Sequence, residues 1–439
     1  MEKPAGNLSP QVIIGVLKSM MNQRVPVSQR IIFYHKECNG QEFTPEQETL
    51  VTNLLLDRDM EIPKAESVHL EFPDVMGGVA GFFSSLYSAY LESPELFFYL
   101  SYLTILGSIV SKNLRVNSEL LIQPRLFVVL LGESADDRKS TSINHAVALC
   151  REVLNGDYLG WGACFGVGSA EGLQKRLEES SSLILIFDEF KQLISKGKID
   201  GSILIPCINS LFEQNHYESR TQKSVIVLRD VHLSLLTAST IQTYERTWDP
   251  SFTDIGFNNR LFIVPGSGER RFSFPQTIPV SEKQEVQDMT VKILKHSAGL
   301  RLDITKEGRE RYDEWYFNQE HSIHAKRLDT YALRFMALLA VNELKTVIDE
   351  EVVDKSIRLM DWQLQVRKLH DPIDADSKMA AAEERIRRAL AQGSKSDRDL
   401  KRAVHADRMG IWFYDTAIKN LLRSREIKFI KGEKKWGLR

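Results

Sequence analysis

The segment Leu126–Ser142, LFVVLLGESADDRKSTS, constrains this 439-residue chain more than any other. An apolar run from Leu126 to Leu131 meets Gly132 and a polar loop. Lys139, Ser140 and Thr141 follow, and then a helix-like stretch from Ile143 to Leu154. That is the strand–loop–helix order of a phosphate-binding loop. Backbone N–H groups at a helix N-terminus cradle phosphate oxygens. A lysine ammonium neutralises the β- and γ-phosphates, and a hydroxyl beside it holds Mg²⁺. The spacing is unusual. Lys139 lies one residue further from Gly132 than in the common pattern, and Arg138 stands where a second glycine is expected. That glycine supplies a backbone conformation that costs other residues roughly 1 kcal/mol. A charged surface turn feeding an ordinary helix is the competing reading.

A second signal lies about 50 residues on. Leu183–Glu189 reads LILIFDE, a continuous apolar run ending in two carboxylates. Buried parallel strands have that composition, and α/β sheets place ligands at their carboxyl ends. Asp188 is the candidate for holding Mg²⁺, and Glu189 for orienting and activating water. A strand ending in a solvated acidic turn is the alternative. The two signals in this order point to a nucleotide hydrolase.

Composition sets outer limits. Hydrophobic residues make up 43% and charged residues 26% of the chain, the balance of a globular protein large enough for two or three domains. The opening MEKPAGNLSPQ has no apolar signal core, and Leu96–Val110 is too short to span a bilayer. Cys38, Cys150, Cys164 and Cys207 show no metal-ligand spacing, and His321 and His324 read as a surface pair. The expectation is a cytoplasmic protein with no membrane partner. Net charge is −2, yet Lys378–Arg439 carries 17 Lys/Arg against 8 Asp/Glu, a net of +9 that leaves −11 elsewhere. A basic C-terminal module follows.

The fold class read from these patterns is α/β, a parallel sheet with helices on both faces. Expected strands are Leu126–Leu131, Leu183–Phe187, Leu233–Thr237 and Arg260–Val264, with helices at Ala170–Ser180 and Ile203–Glu213. Between them, NHYESRTQKSVIVLRDV reads as a hairpin. The division is 1–77, of unread role; 78–120, a helical collar of two helices broken at Ser93-Pro94; 121–300, the core; 301–370, a helical lid; and 378–439. In the first region Gln11–Met21 reads as a helix, and Thr44 caps a second that begins at Pro45. The last region reads as helices Met379–Ala391, Ser396–Val404 and Ile411–Ser424, then two short strands around a Lys431–Lys434 turn. Three helices and a basic hairpin is the plan of a winged helix, for DNA or for protein contact.

Taken together, these residues resemble AAA+ helicase-like P-loop ATPases of the minichromosome-maintenance type and the replicative helicases of plasmids and phages. The resemblance covers about Gly78–Arg439. GESADDRKST is similar to the mobile-element phosphate loop, LILIFDEF to the acidic strand, EQNHYESRTQKSVIVLRDVHLSLLTAST to a hairpin and sensor segment, and FTDIGFNNRLFIVPG to the segment carrying an arginine finger. It implies ATP and Mg²⁺ as ligands. Gly132, Glu133, Ser134, Arg138, Lys139, Ser140 and Thr141 would form the phosphate cradle, with Ser140 or Thr141 on Mg²⁺. Asp188 and Glu189 would be the acidic pair, and Thr240 would occupy the sensor position. Arg260 would be an arginine finger acting on a neighbouring subunit; a structural arginine at the start of an interior strand is its alternative. Arg334, or Arg327, would be the lid arginine. Arg220 and Lys223 at the hairpin tip, and Lys431, Lys434 and Lys435 at the wing, would meet DNA phosphates.

The function so implied is an ATP-dependent DNA helicase or translocase of a mobile element. It would act as a homo-oligomeric, hexameric ring on single-stranded or forked DNA, with a primase or replication initiator as partner. Two alternatives stand beside it: an ATPase of the same fold that remodels protein or loads a helicase and, from another class, a DNA-binding regulator with a degenerate nucleotide site.

Overall fold

The computed structural model describes residues 9–22, 25–38, 43–55, 70–119, 121–133, 137–154, 160–220, 225–248, 252, 254–269, 271–272, 274, 276–372 and 378–439. The chain divides into two compact units, one of residues 70–388 and one of residues 1–69 with 389–439.

The larger unit is built on a sheet. In chain order its strands are β1 (Arg115–Val116), β2 (Phe127–Gly132), β3 (Trp161–Phe165), β4 (Ser182–Phe187), β5 (Tyr217–Arg220), β6 (Val225–Leu228), β7 (His232–Thr240), β8 (Phe262–Pro265), β9 (Arg301–Ile304) and β10 (Val347–Ile348). Five of them form one parallel sheet in the order β3-β4-β7-β2-β8. Every residue of β2 and β4 is buried, as their unbroken apolar runs require. The strand joining the two signal segments is β7, which lies between β2 and β4. β5 and β6 make an antiparallel hairpin, and β1, β9 and β10 a small parallel sheet.

The segment expected to be a helical collar packs on the five-stranded sheet. Its two helices, Gly78–Leu91 and Glu95–Val110, are both present. The second is apolar on all sides and buried from Phe97 to Val110, packing on β2, β4, β7 and β8. Gly107 permits the close approach, since a Cβ there would lie 2.0 Å from the Pro124 carbonyl oxygen.

The expected strand Arg260–Val264 starts later than its sequence suggests. Asn258–Arg260 is a turn of 3₁₀ helix, and β8 begins at Phe262. The Arg260 guanidinium donates back to the carbonyls of Ile255 (3.2 Å) and Gly256 (2.8 Å), which closes the turn.

The segment expected to be a helical lid also packs on the sheet. Its helices, Leu328–Asn342 and Glu350–His370, underpin the amino-terminal edge of the sheet. Tyr331 Oη lies 3.1 Å from Phe127 O and 2.7 Å from Arg260 O, and Arg367 donates to Asn259 O and Leu261 O at 3.1 Å. Helices Phe190–Gly197, Ile241–Thr247 and Val280–Ser297, and strand β3, have no counterpart in the sequence reading, whereas Lys306–Phe317 falls in the region read as helical.

In the smaller unit, Pro10–Asn22 and Pro45–Leu55 are helices that share a core of Ile13, Ile14, Leu17, Val51 and Leu54. Thr44 N–H donates to Gln47 Oε1 (3.0 Å) and Gln47 N–H to Thr44 Oγ1 (3.3 Å), a reciprocal cap. Near the C-terminus, helices Asp397–Ala403, Ala406–Met409 and Ile411–Arg423 accompany strands β11 (Lys395–Ser396), β12 (Ile427–Ile430) and β13 (Lys435–Leu438). These strands form an antiparallel sheet in the order β11-β13-β12. Asp397 ties them together, accepting from Tyr414 Oη (2.9 Å), Trp436 Nε1 (3.1 Å) and Lys401 Nζ (2.7 Å).

Candidate functional site

The register of the sheet assembles the carboxyl-terminal edge. Gly132, the last residue of β2, pairs with Thr240, the last of β7, and Phe187, the last of β4, pairs with Thr237. Asp188 and Glu189 therefore emerge two strands from Gly132, a separation of roughly 10 Å at ordinary strand spacing. Both carboxylates are exposed, and Glu189 is the N-cap of the helix Phe190–Gly197 without a side-chain capping bond.

The polar loop closes on itself. Asp137 is almost fully buried, and its carboxylate accepts the N–H groups of Glu133 and Gly268. That carboxylate packs on the Cα of Gly132, where a Cβ would lie 2.4 Å from Asp137 Oδ2. A larger residue at position 132 would expel it. Arg138 has φ +43°, the left-handed conformation that a second glycine would have supplied. Its guanidinium meets Glu92 Oε2 at 2.5 Å. The Phe272 N–H holds the Glu92 carboxyl below the usual range, aided by the Arg271 N–H and by the charge of Arg138.

Lys139 opens the 16-residue helix Lys139–Leu154 and folds over the loop. Its ammonium donates to Gly132 O (3.2 Å) and Glu133 O (2.6 Å). Burial lowers its pKa, while Asp137, Glu189 and Glu133 pull the other way. Lys139 thus feels the charge of Glu189 across the edge. Ser140 is exposed on the first helical turn and Thr141 is half-buried. Donors at a helix N-terminus, an ammonium held by weakly competing carbonyls, a hydroxyl and two exposed carboxylates suit a phosphate chain with Mg²⁺. Ser140 and Asp188 are the side chains that would hold the ion.

Thr240 lies level with Gly132, but its hydroxyl caps the next helix. Oγ1 accepts Thr243 N–H at 3.1 Å and donates to Thr243 Oγ1 at 2.8 Å. Ser134 and Lys223 lie outside the described residues. Arg220 is at the exposed end of β5 and pairs with Glu218. Lys431 and Lys434 are exposed in the β12–β13 turn, and Lys435 faces Glu433 at 3.7 Å.

The structure separates the three arginines from the loop. Phe262 pairs with Val128, so Arg260 belongs to the amino-terminal edge, about 20 Å from the loop along a six-residue strand. It borders a cleft of about 460 Å³ shared with Asp254, Lys326 and Arg327. Burial lowers the pKa of Arg260 and of Arg327. Arg327 pairs with Glu213. Arg334, expected at the nucleotide, is only 5% exposed. It donates to Arg125 O (3.1 Å) and Phe212 O (2.6 Å) and lies 3.8 Å over the Phe212 ring. Its guanidinium is bonded to backbone at the edge opposite the loop, so it does not reach the loop of its own chain.

Sequence reasoning missed Asp137 and Glu92. A carboxylate inside a polar loop carries no periodic signal. Glu92 has a local one: it ends the helix Gly78–Leu91 in the left-handed conformation just before Ser93-Pro94. No family model and no curated protein matches this chain.

Proposed function

We propose that this protein is a P-loop, AAA+-like ATPase that acts on DNA as a ring-forming helicase or translocase. The observation that carries the reading is the convergence at one sheet edge of Lys139, Asp188 and Glu189. Lys139 opens the helix after β2 and the carboxylates follow β4, with β7 between the two strands, and Lys139 and Glu189 interact electrostatically. Bound Mg²⁺ would neutralise phosphate charge at this edge, held by Ser140 and Asp188. Lys139 would exchange its contacts with the Gly132 and Glu133 carbonyls for phosphate oxygens. Glu189 would accept a proton from the attacking water at a carboxylate oxygen, since no bond to its own helix competes.

The position of Arg260 supports oligomeric action. A strand's length from Lys139, it serves as a finger only toward a neighbouring subunit, whose loop it would meet across an interface. The C-terminal helices and sheet fit a winged helix, and Lys431, Lys434 and Lys435 on its turn suit a phosphate backbone.

The test is ATP hydrolysis by the purified chain with and without single-stranded DNA, beside Glu189→Gln. Wild type should turn over and respond to DNA. Glu189→Gln should bind ATP and lose turnover by about 10²-fold or more. Hydrolysis without strand separation would favour a protein-remodelling ATPase. DNA binding with no hydrolysis would favour a regulator.

A further inference from the structure

The phosphate loop carries an arginine in left-handed backbone, and a residue from outside the loop grips it. Glu92 is 4% exposed, and its Oε2 lies 2.5 Å from Arg138 Nη2. Its Oε1 accepts the N–H groups of Arg271 and Phe272. Ser93 Oγ lies 3.5 Å from Asp137 O and 3.4 Å from Arg138 O. The Arg271 guanidinium donates to Ser88 O, which ties the 271–272 segment to the same helix end. Backbone and side-chain groups of the loop and of the 271–272 segment thus meet at the junction between the helices Gly78–Leu91 and Glu95–Val110. A glycine at position 138 would need none of them, because it adopts this conformation without steric penalty.

We propose that Glu92 is a positioning residue of the phosphate loop, holding Arg138 in the left-handed conformation that aims the following Lys139 at its ligand. The proposal deepens the nucleotide reading and rests on it. Glu92 touches no reacting atom. It acts through Arg138, on the loop's shape, and replaces by a long-range contact what a glycine supplies locally. The helices before the sheet are then part of the nucleotide machinery as well as its packing.

Such a role makes positions 92 and 138 interdependent. The experiment is titration of the full-length chain with a fluorescent ATP analogue and Mg²⁺, for wild type, Glu92→Gln, Arg138→Gly and the double variant. Glu92→Gln keeps the shape and removes the ion pair. It should weaken affinity by about tenfold when position 138 is Arg. The same change should have less than about a twofold effect when position 138 is Gly, because no side chain remains to be gripped. Equal effects in both backgrounds, or no effect in either, would overturn the proposal while leaving the nucleotide reading intact. Failure of wild type to bind the analogue would overturn both. Should Glu92→Gln not fold, Arg138→Ala takes its place, since it keeps a Cβ in left-handed backbone but offers nothing to grip. It should bind several-fold more weakly than Arg138→Gly. Equal affinity of those two variants would overturn the proposal.

Discussion

The two ends of the central sheet handle charge in opposite ways. At the carboxyl edge Asp188 and Glu189 are exposed, and among the described residues the Lys139 ammonium donates to loop carbonyls. At the amino edge Arg125, Arg334 and Arg367 are buried and donate to backbone carbonyls of Gln214, Phe212, Asn259 and Leu261, among others. Burial brings Arg334 down to about 10. The first arrangement leaves charge available to a ligand. The second spends it on satisfying carbonyls at a helix end and a turn that would otherwise be unpaired. Arg260 is intermediate. It bonds two carbonyls, yet borders an open cleft. The same residue type therefore has different meaning at the two edges, and only partners and exposure distinguish them.

The sharpest way to break this contrast is to delete one charge from each edge. Lys139→Ala should abolish ATP hydrolysis, and Arg260→Ala should lower it by about 10³-fold. If Arg260 serves a neighbour, mixing the two variants should restore activity, since some interfaces then join an intact loop to an intact arginine. No recovery after demonstrated subunit exchange would return Arg260 to a structural role.

Arg334 should behave differently. Arg334→Leu strands two carbonyls and loses the stack on Phe212, and should destabilise the fold by about 3 kcal/mol in urea unfolding. Normal stability with a selective loss of ATP affinity would show that its carbonyl contacts do not define it.

Acid should act on the amino edge as well. His232, at the start of β7, is buried beside Gln123 (3.1 Å) and Asp230 (3.2 Å). Burial, then the nearby Arg125 charge, depresses its pKa to about 4, with Asp230 opposing. His370 is also held at about 4, by burial and by Arg388. Unfolded, each takes up a proton near 6.5. The unfolded chain thus binds more protons between those values, so stability is full above 6.5 and falls as pH drops toward 4. The urea midpoint measured from pH 7 to 4 should fall accordingly, and His232→Gln should flatten the curve. A flat wild-type profile would contradict the burial argument.

The smallest effect belongs to basic residues outside both edges. Neutralising Lys431, Lys434 and Lys435 should weaken DNA binding and remove roughly one unit of log–log salt slope per lost phosphate contact. Arg220→Ala with Lys223→Ala should instead lower DNA-stimulated hydrolysis and spare the basal rate. An unchanged salt slope after the lysine changes would point to protein docking by the C-terminal unit.

Much of this was legible in the chain. Buried parallel strands need apolar residues on both faces, so β2 and β4 stand out as apolar runs, and β7 is marked by its shorter apolar stretch at Leu235–Leu236. Strand β3 does not. Trp161–Phe165 lies at the sheet edge, is mostly half-buried, and carries Gly162 and Ala163, so it lacks a run. The helix Glu95–Val110 was legible as buried but not as resting on the sheet, because a helix that is apolar all round says nothing about what covers it. Arg260 looked like the start of a strand because Leu261–Val264 is apolar. The turn that displaces it is closed by its own side chain.

The local order of residues by itself determined the strand–loop–helix unit, the acidic strand end, the hairpin and the helices of the C-terminal region. Each depends on propensity and periodicity within a few residues. Only the tertiary structure decided which charges meet. The pairing of Glu92 with Arg138 spans 46 positions, the bond from Gly268 to Asp137 spans 131, and the bonds of Arg334 to the Phe212 and Arg125 carbonyls span 122 and 209. Contacts of that separation are set by how elements stack and by the need to pair every buried polar group. No window of sequence contains both partners.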